Sequence, residues 1–422
     1  MLTSASSKSK AILICVGSEL LRGKLNTHAS HIARRLASIG LTLDEEHTVG
    51  DELGQITQAI RQGLNSYPIV FLSGGLGPTF DDISREAAAE ATGCPLWRSK
   101  ALMNGIKAKF RRAHFKMPDM NIRQADLLQG AEVIENRFGT APGQWIKFSD
   151  SQVLVLFPGP PRELYPMLED FVLPRLKRMY PRRPMAESHM HFVNVPESII
   201  DSKVRPIIAR AQKTPGVEVQ FTILAQINLV DFDIFVSAAK LPLAQKVLAR
   251  IEHEVRRASA GTWYGSNMDY PLEKVVGDLF RKRRASLALA ESCTGGMLAA
   301  RLTDIAGSSE FLQAGWVTYS NAAKVRDLGV PAQLIRAHGA VSEPVARAMA
   351  QGARKAAQTD VGLGITGIAG PGGGSPGKPV GLVYIALATE KRVSSQRFKF
   401  SGDRSSIRQR AVLAALDILR KI

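Results

Sequence analysis

The chain has 422 residues, 45% hydrophobic and 22% charged, with a formal net charge of +17; at roughly 150 residues per domain it exceeds one ordinary core and predicts two or three domains. No run approaches the ~20 apolar residues of a membrane-spanning helix, and the opening MLTSASSKSK is polar where a secretory leader is apolar. Three scattered cysteines, Cys15, Cys94 and Cys293, exclude a disulfide framework and a cysteine metal site, so a reducing, cytoplasmic setting is expected.

In chain order, the pattern predicts a strand over 11–16, a helix over 27–39 ended by Gly40, and a helix over 55–64. A strand over 69–72, a helix over 83–91 closed by Gly93 and an apolar strand over 153–157 follow. This rhythm predicts a layered α/β domain with a mostly parallel sheet, over 1–175. The stretch 186–266 reads strand (191–195), helix (197–211), strand (217–223), strand (227–237) and helix (243–256). It is expected to be a small α+β linking domain, without a cluster of catalytic residue types.

The remainder, 269–422, alternates again. A helix over 271–282, a strand over 286–290, a helix over 294–304 and a strand over 316–319 lead to short helices and a longer one over 344–357. A strand over 361–366, a glycine-rich loop, strands over 380–388 and 397–400 and a helix from Arg404 complete a second α/β domain. From Pro271 onward 22 basic residues face 11 acidic ones, a balance that favours anionic ligands. The run Arg281 to Arg284 suits the solvated end of a helix. No aromatic interleaving or groove-reading motif supports nucleic acid as a partner.

The turn AESCTGG (290–296) leaves an apolar strand and opens a helix. Such a turn exposes a side chain and directs unpaired amides into the same space. Ser292 is therefore a candidate nucleophile, and the amides of Thr294, Gly295 and Gly296 are candidate donors to an oxyanion. Helix capping by Ser292 or Thr294 fits the same residues. Cys293 is a rival nucleophile; adjacent side chains point apart, so one of the two faces a ligand. In GWVTYSNAAK (315–324), Tyr319 ends a strand and Lys324 lies one turn into the next helix. His338 is the only histidine of this segment, so a lysine of lowered pKa can serve as base with Tyr319 relaying the proton; an ordinary surface lysine fits as well.

Residues 372–378 begin like a phosphate loop, but Pro379 stands where Ser or Thr is required and a strand follows where a helix is needed. That excludes a Walker NTPase. The stretch reads as a loop over a ligand, with Gly370 and Gly372 as candidate contacts, or as a surface hairpin. Arg404, at the start of the last helix, suits a phosphate or a salt bridge with Asp403.

AESCTGG, GWVTYSNAAK, HGAVSEPVA, ITGIAGPGGG and SGDR, in that order, resemble the C-terminal domain of CinA proteins, the PncC-type nicotinamide mononucleotide (NMN) deamidases. The resemblance implies an amidohydrolase with Ser292 as nucleophile, assisted by Lys324 and Tyr319, and substrate contacts at Thr366 and Arg404, the latter for the phosphate. It implies no cofactor, and conversion of NMN to nicotinate mononucleotide and ammonia in NAD recycling.

Toward the N-terminus, VGSELLRG (16–23) and SGGLGPTFDD (73–82) each follow a strand, where open α/β sheets hold ligands. Asp81 and Asp82 at a helix start suit a divalent cation beside a phosphate, or capping. With Asn121, 123–125, Asn136, 139–143 and 157–163, these segments resemble the MoaB/MogA-like, molybdopterin-binding-type domain that opens CinA proteins. The resemblance implies a site at Glu19, Gly74, Gly75, Gly77, Thr79, Asn136, Thr140, Gly159 and Glu163, with a divalent metal at Asp81 and Asp82. It implies metal-dependent ADP-ribose pyrophosphatase activity, or pterin binding. Two positions depart from the family: His28 where Asn usually follows Thr27, and Phe80 where His usually precedes the aspartate pair. A homodimer is expected. The alternative readings are a non-catalytic nucleotide- or pterin-binding protein and a DNA-associated competence factor, the latter resting on charge alone.

Overall fold

The computed structural model describes residues 10–181, 183–268 and 270–422. The polar opening before Lys10, and Asp269, where the third segment was expected to begin, lie outside the described residues. The chain forms two compact units, Met1–Met185 and Ala186–Ile422.

The first unit is built on a six-stranded sheet. Its strands are β1 (Lys10–Val16), β2 (Thr42–Val49), β3 (Ile69–Ser73), β4 (Glu132–Ile134), β5 (Gly143–Ser149) and β6 (Gln152–Phe157), in the order β2-β1-β3-β6-β5-β4. The four strands β2, β1, β3 and β6 run parallel, while β5 and β4 add antiparallel pairs. Continuous burial of β1 and β3 follows from covering both sheet faces. On one face Leu13, Phe71 and Phe157 meet Ile32 and Leu36 of helix His28–Ala37 and Leu164, Leu168 and Leu176. On the other Ile14, Val70 and Leu154 meet Ile56 and Ile60 of helix Leu53–Ser66 and Ala87 and Ala88 of helix Ser84–Thr92. Strand β2 and helix Lys100–Arg112 lie beyond the elements the sequence predicted. The first is a polar edge strand, and the second buries only Ile106 fully.

The second unit carries two sheets. The first contains β7 (Met185–Val193), β8 (Val217–Gln226), β9 (Leu229–Ala238) and β10 (Trp263–Gly265), in the order β8-β9-β7-β10. The apolar faces of helices Glu197–Ala211 and Leu241–Ala258 close its core with Met190, Phe192, Phe232 and Ile234. The second sheet has β11 (Leu287–Glu291), β12 (Leu312–Val317), β13 (Val361–Gly367), β14 (Leu382–Ala388) and β15 (Val393–Lys399), in the order β12-β11-β13-β14-β15. Strand β11 is parallel to both neighbours, and β14 and β15 return antiparallel. Helix Glu343–Ala357 lies close on β13 because glycine replaces a side chain at the contact. A Cβ built on Gly362 would come 2.1 Å from the Ala350 carbonyl oxygen, and one on Gly364 2.6 Å from that of Ala346.

Predicted boundaries move, two of them at the turn that carries Ser292. The strand expected over 316–319 ends at Val317. The helix expected from residue 294 starts at Met297, leaving 292–296 as a turn. The strand expected over 191–195 ends at Val193, having begun at Met185. The run Arg281 to Arg284 is a helix end, with Arg284 in the left-handed conformation.

Candidate functional site

Strand β11 delivers Ser292 at its C-terminal end, anchored by its amide to the Ile365 carbonyl of β13 at 3.0 Å. Beyond the neighbouring β12, Ser320 caps helix Asn321–Leu328 by accepting from the Ala323 amide at 3.1 Å. That start places Lys324 one turn in, with its side chain directed back under the sheet end. Its Nζ lies 3.0 Å from Ser292 Oγ and donates to the Thr318 carbonyl at 2.7 Å. Lys324 is 1% exposed, and among the described residues no carboxylate pairs with it. Burial therefore pushes its pKa below the ordinary lysine value of 10.5. A neutral amine beside a serine hydroxyl is a base poised on a nucleophile.

Cys293 points the other way. It packs with Leu289, Ile365 and Val383 in the core, and burial pushes its thiol up to about 12. A protonated, enclosed thiol is a poor nucleophile, which leaves Ser292 as the group facing Lys324.

Tyr319 lies beyond the strand end and is 61% exposed. Its hydroxyl accepts from Arg404 Nη2 at 2.7 Å, and only its main-chain oxygen approaches Lys324, at 3.5 Å. The proton relay expected of Tyr319 is thus replaced by a contact with the arginine. Arg404 also donates to the Gly370 carbonyl at 2.8 Å, while Asp403 caps the last helix through the Ser406 amide rather than pairing with Arg404. Gly370 is joined to the site in this way, whereas Gly372 is exposed with open space around it. The loop closes as a hairpin by mutual amide bonds of Ser375 and Lys378, both 2.9 Å. Thr366 is 1% exposed and donates to the Ala340 carbonyl at 2.9 Å.

The oxyanion donors also shift. The Gly295 amide is taken by the Ser292 carbonyl at 3.1 Å and the Gly296 amide by Glu291 Oε2 at 3.1 Å. Neither is free as expected. Among the described residues, the amides of Cys293 and Thr294 meet no acceptor oxygen. Two hydroxyls behind them, Thr294 Oγ1 and Thr318 Oγ1, are buried without a partner. Glu291 was missed in the sequence, although a carboxylate ending an apolar strand is a signal in itself.

In the first unit the glycine turns line a cleft of about 760 Å³. Glu19, Gly74, Gly75, Gly77, Thr79, Thr140, Gly159, Glu163, Asp81 and Asp82 all reach it. Gly74 has φ 103°, and a Cβ there would meet the Val16 carbonyl oxygen at 2.2 Å. Buried Arg85 holds the loop from behind, donating to the carbonyls of Leu76 and Gly77 at 2.6 and 2.9 Å. Asn136 does not line the cleft; it braces the wall, accepting from the Gly139 amide at 2.7 Å and donating to Glu163 at 2.7 Å.

The expected metal pair does not converge. Both oxygens of Asp82 are turned into the loop, accepting from the amides of Gly77 and Thr79 at 2.8 Å each, while Asp81 is exposed. Among the described residues no group of three His, Cys, Asp or Glu side chains is placed to hold a metal ion. The donor set does not fit a protein-held cation.

Residues 269–422 match the family model described as "CinA C-terminal domain", and residues 12–178 match that described as "Probable molybdopterin binding domain". The CinA-like protein of Acidobacterium capsulatum is 40% identical over 421 residues, covering 97% of this chain and 99% of that protein. The chain belongs to the CinA family. The CinA-like protein of Endomicrobium trichonymphae is 38% identical over 421 residues, 98% of each chain. A crystal structure of a competence/damage inducible protein from Agrobacterium tumefaciens is 40% identical, covers 35% of this chain and 93% of its own, and has a TM-score of 0.34.

At the two positions expected to depart from the family pattern, the outcomes differ. His28 is buried, its Nδ1 lies 2.8 Å from Ser73 Oγ, and burial pushes its pKa below the ordinary histidine value. It lines the cleft. Phe80 is 89% exposed and makes no wall. Among the described residues no helix is long and apolar enough to cross a membrane.

Proposed function

We propose that the C-terminal domain is an amidohydrolase acting on NMN, with Ser292 as nucleophile. The observation that carries this reading is the 3.0 Å contact between Ser292 Oγ and the Nζ of buried Lys324. Neutral Lys324 takes the hydroxyl proton as Ser292 Oγ bonds to the carboxamide carbon. The amides of Cys293 and Thr294 receive the developing oxyanion. Lys324 then returns the proton to the amide nitrogen, the C–N bond breaks and ammonia leaves. A water molecule, deprotonated by the same amine, opens the acyl-enzyme to nicotinate mononucleotide and restores the Ser292 hydroxyl. Arg404, with Tyr319 on one of its nitrogens, is the anchor for the phosphate.

Ammonia release from NMN by the purified protein, undiminished by a chelator, is the expected result, with Ser292→Ala reducing it to background. Near-parental turnover by Ser292→Ala would overturn the assignment.

The cleft of the first unit supports a second reading, a binding site for a phosphate-bearing nucleotide such as ADP-ribose, or for a pterin phosphate. Glycine turns at strand ends let a phosphate approach the main chain. Because Asp82 is engaged by its own loop, no hydrolytic step through a metal is assigned there. Calorimetric titration with ADP-ribose, with and without Mg²⁺, tests binding, and AMP release tests hydrolysis.

A further inference from the structure

The turn that carries Ser292 is held from both sides of its peptide chain. Glu291, 1% exposed, turns its carboxylate back over the turn. Its Oε2 accepts from the amides of Gly296 at 3.1 Å and Leu298 at 3.2 Å, and its Oε1 from that of Ala299 at 2.9 Å. On the carbonyl side, Arg408 Nη2 donates to the Thr294 oxygen at 2.8 Å. Between these clamps the chain passes through Gly295 and Gly296 at φ 61° and 87°, the left-handed region. The amide of Thr294 is left over, and that of Cys293 is met only by its own thiol.

We propose that Glu291 and Arg408 are positioning residues that preform the oxyanion-binding turn. A buried carboxylate is tolerated here because charged-to-amide hydrogen bonds replace its hydration. By filling the amide end of the following helix with an internal anion, Glu291 denies that end to substrate. Any negative charge forming near Ser292 is then directed to the amides before the glycines. Glu291 also stays off Lys324: its oxygens are spent on amides, so the amine keeps no carboxylate partner that would hold it charged. Sequence neighbours on one strand end thus serve opposite purposes, Glu291 inward to the turn and Ser292 outward to the base.

The inference rests on the Ser292 amidase reading, and its test separates the two. The chain is treated with a fluorophosphonate, which labels an activated serine and mimics the tetrahedral oxyanion without requiring NMN to be the substrate. The variants are Glu291→Gln, which keeps the volume and one acceptor, Arg408→Ala and Arg408→Lys. For Glu291→Gln, labelling of Ser292 and kcat on NMN are expected to fall together by about 10-fold or more, toward the ~10²-fold loss typical of a missing oxyanion donor. KM is expected to stay within about twofold, because the substrate is not touched. The rising limb of the pH profile is expected to hold its position, since Lys324 is untouched. Arg408→Lys is expected to restore most of what Arg408→Ala loses. Parental labelling and kcat in Glu291→Gln would overturn the proposal, as would a raised KM at constant kcat. Labelling that slows in Glu291→Gln while the parent releases no ammonia from NMN supports the positioning role and removes the NMN reading instead.

Discussion

Lys324 has a consequence for pH dependence that its position alone determines. Its folded pKa lies below the ordinary 10.5, so deprotonation precedes that of a solvated lysine. The kcat/KM for amide hydrolysis is therefore expected to rise with pH and level off below 10.5, following the neutral amine. Lys324→Arg, whose guanidinium stays charged, is expected to lose activity by ~10²-fold or more. The same shift bears on stability. Between the lowered folded pKa and the unfolded value, the unfolded chain binds more protons, so the parent gains stability as pH rises. The melting temperature of the parent relative to Lys324→Met is expected to increase toward pH 10.5; a pH-independent difference would contradict the lowered value. At this scale strand-end and helix-start geometry makes Ser292, Lys324 and Arg404 candidates beside capping, surface-lysine and salt-bridge readings, and it is the resemblance to the CinA family that singles them out. The hydroxyl of Tyr319 was not, because side-chain direction past a strand end depends on where that strand stops, here Val317 rather than residue 319.

Among the elements, helix Glu343–Ala357 approaches β13 closely. Gly364→Ala would push a methyl against the Ala346 carbonyl, so a loss of about 1–3 kcal/mol is expected by chemical denaturation, the range for overpacking a tight contact. Strand β7 carries a different device. Buried His189 has Nδ1 2.8 Å from Asp233. Burial alone would lower its pKa, but Asp233 and Glu187 outweigh it and raise it to about 9. A raised folded value stabilises fully below the unfolded 6.5 and is lost as pH climbs through about 9. Amide hydrogen exchange in Met185–Val193, corrected for intrinsic rate, is expected to accelerate over that window and to lose this dependence in His189→Gln. The sequence showed the helices of this module well, most plainly Leu241–Ala258, whose buried Ala244, Val247, Leu248, Ile251 and Val255 follow the helical period. It showed no charged cluster, because His189, His191, Asp231 and Asp233 are brought together only by strand pairing.

Over the whole chain, the two sheets with parallel centres each present glycine turns at their strand ends, yet their chemistry differs. The first offers a cleft of about 760 Å³ and engaged carboxylates; the second offers a serine and an amine in contact. Ser292→Ala is accordingly expected to leave ADP-ribose binding unchanged within about twofold, measured by calorimetry, while abolishing ammonia release. Chelator is expected to alter neither. The layered α/β architecture was readable from alternating apolar runs. The antiparallel additions β4 and β5 were not: β4 is three residues at the edge, and β5 is buried continuously over Gly143–Ile146 and exposed beyond, so neither alternates.

Cys293 sits one residue from the proposed nucleophile, enclosed in the core, where burial pushes its thiol up to about 12. If it works as the proposed amidase, the chain should keep turning over under oxidative stress that silences thiolate hydrolases. Iodoacetamide or peroxide would find no target at its catalytic turn, and a survey relying on cysteine alkylation would pass it by.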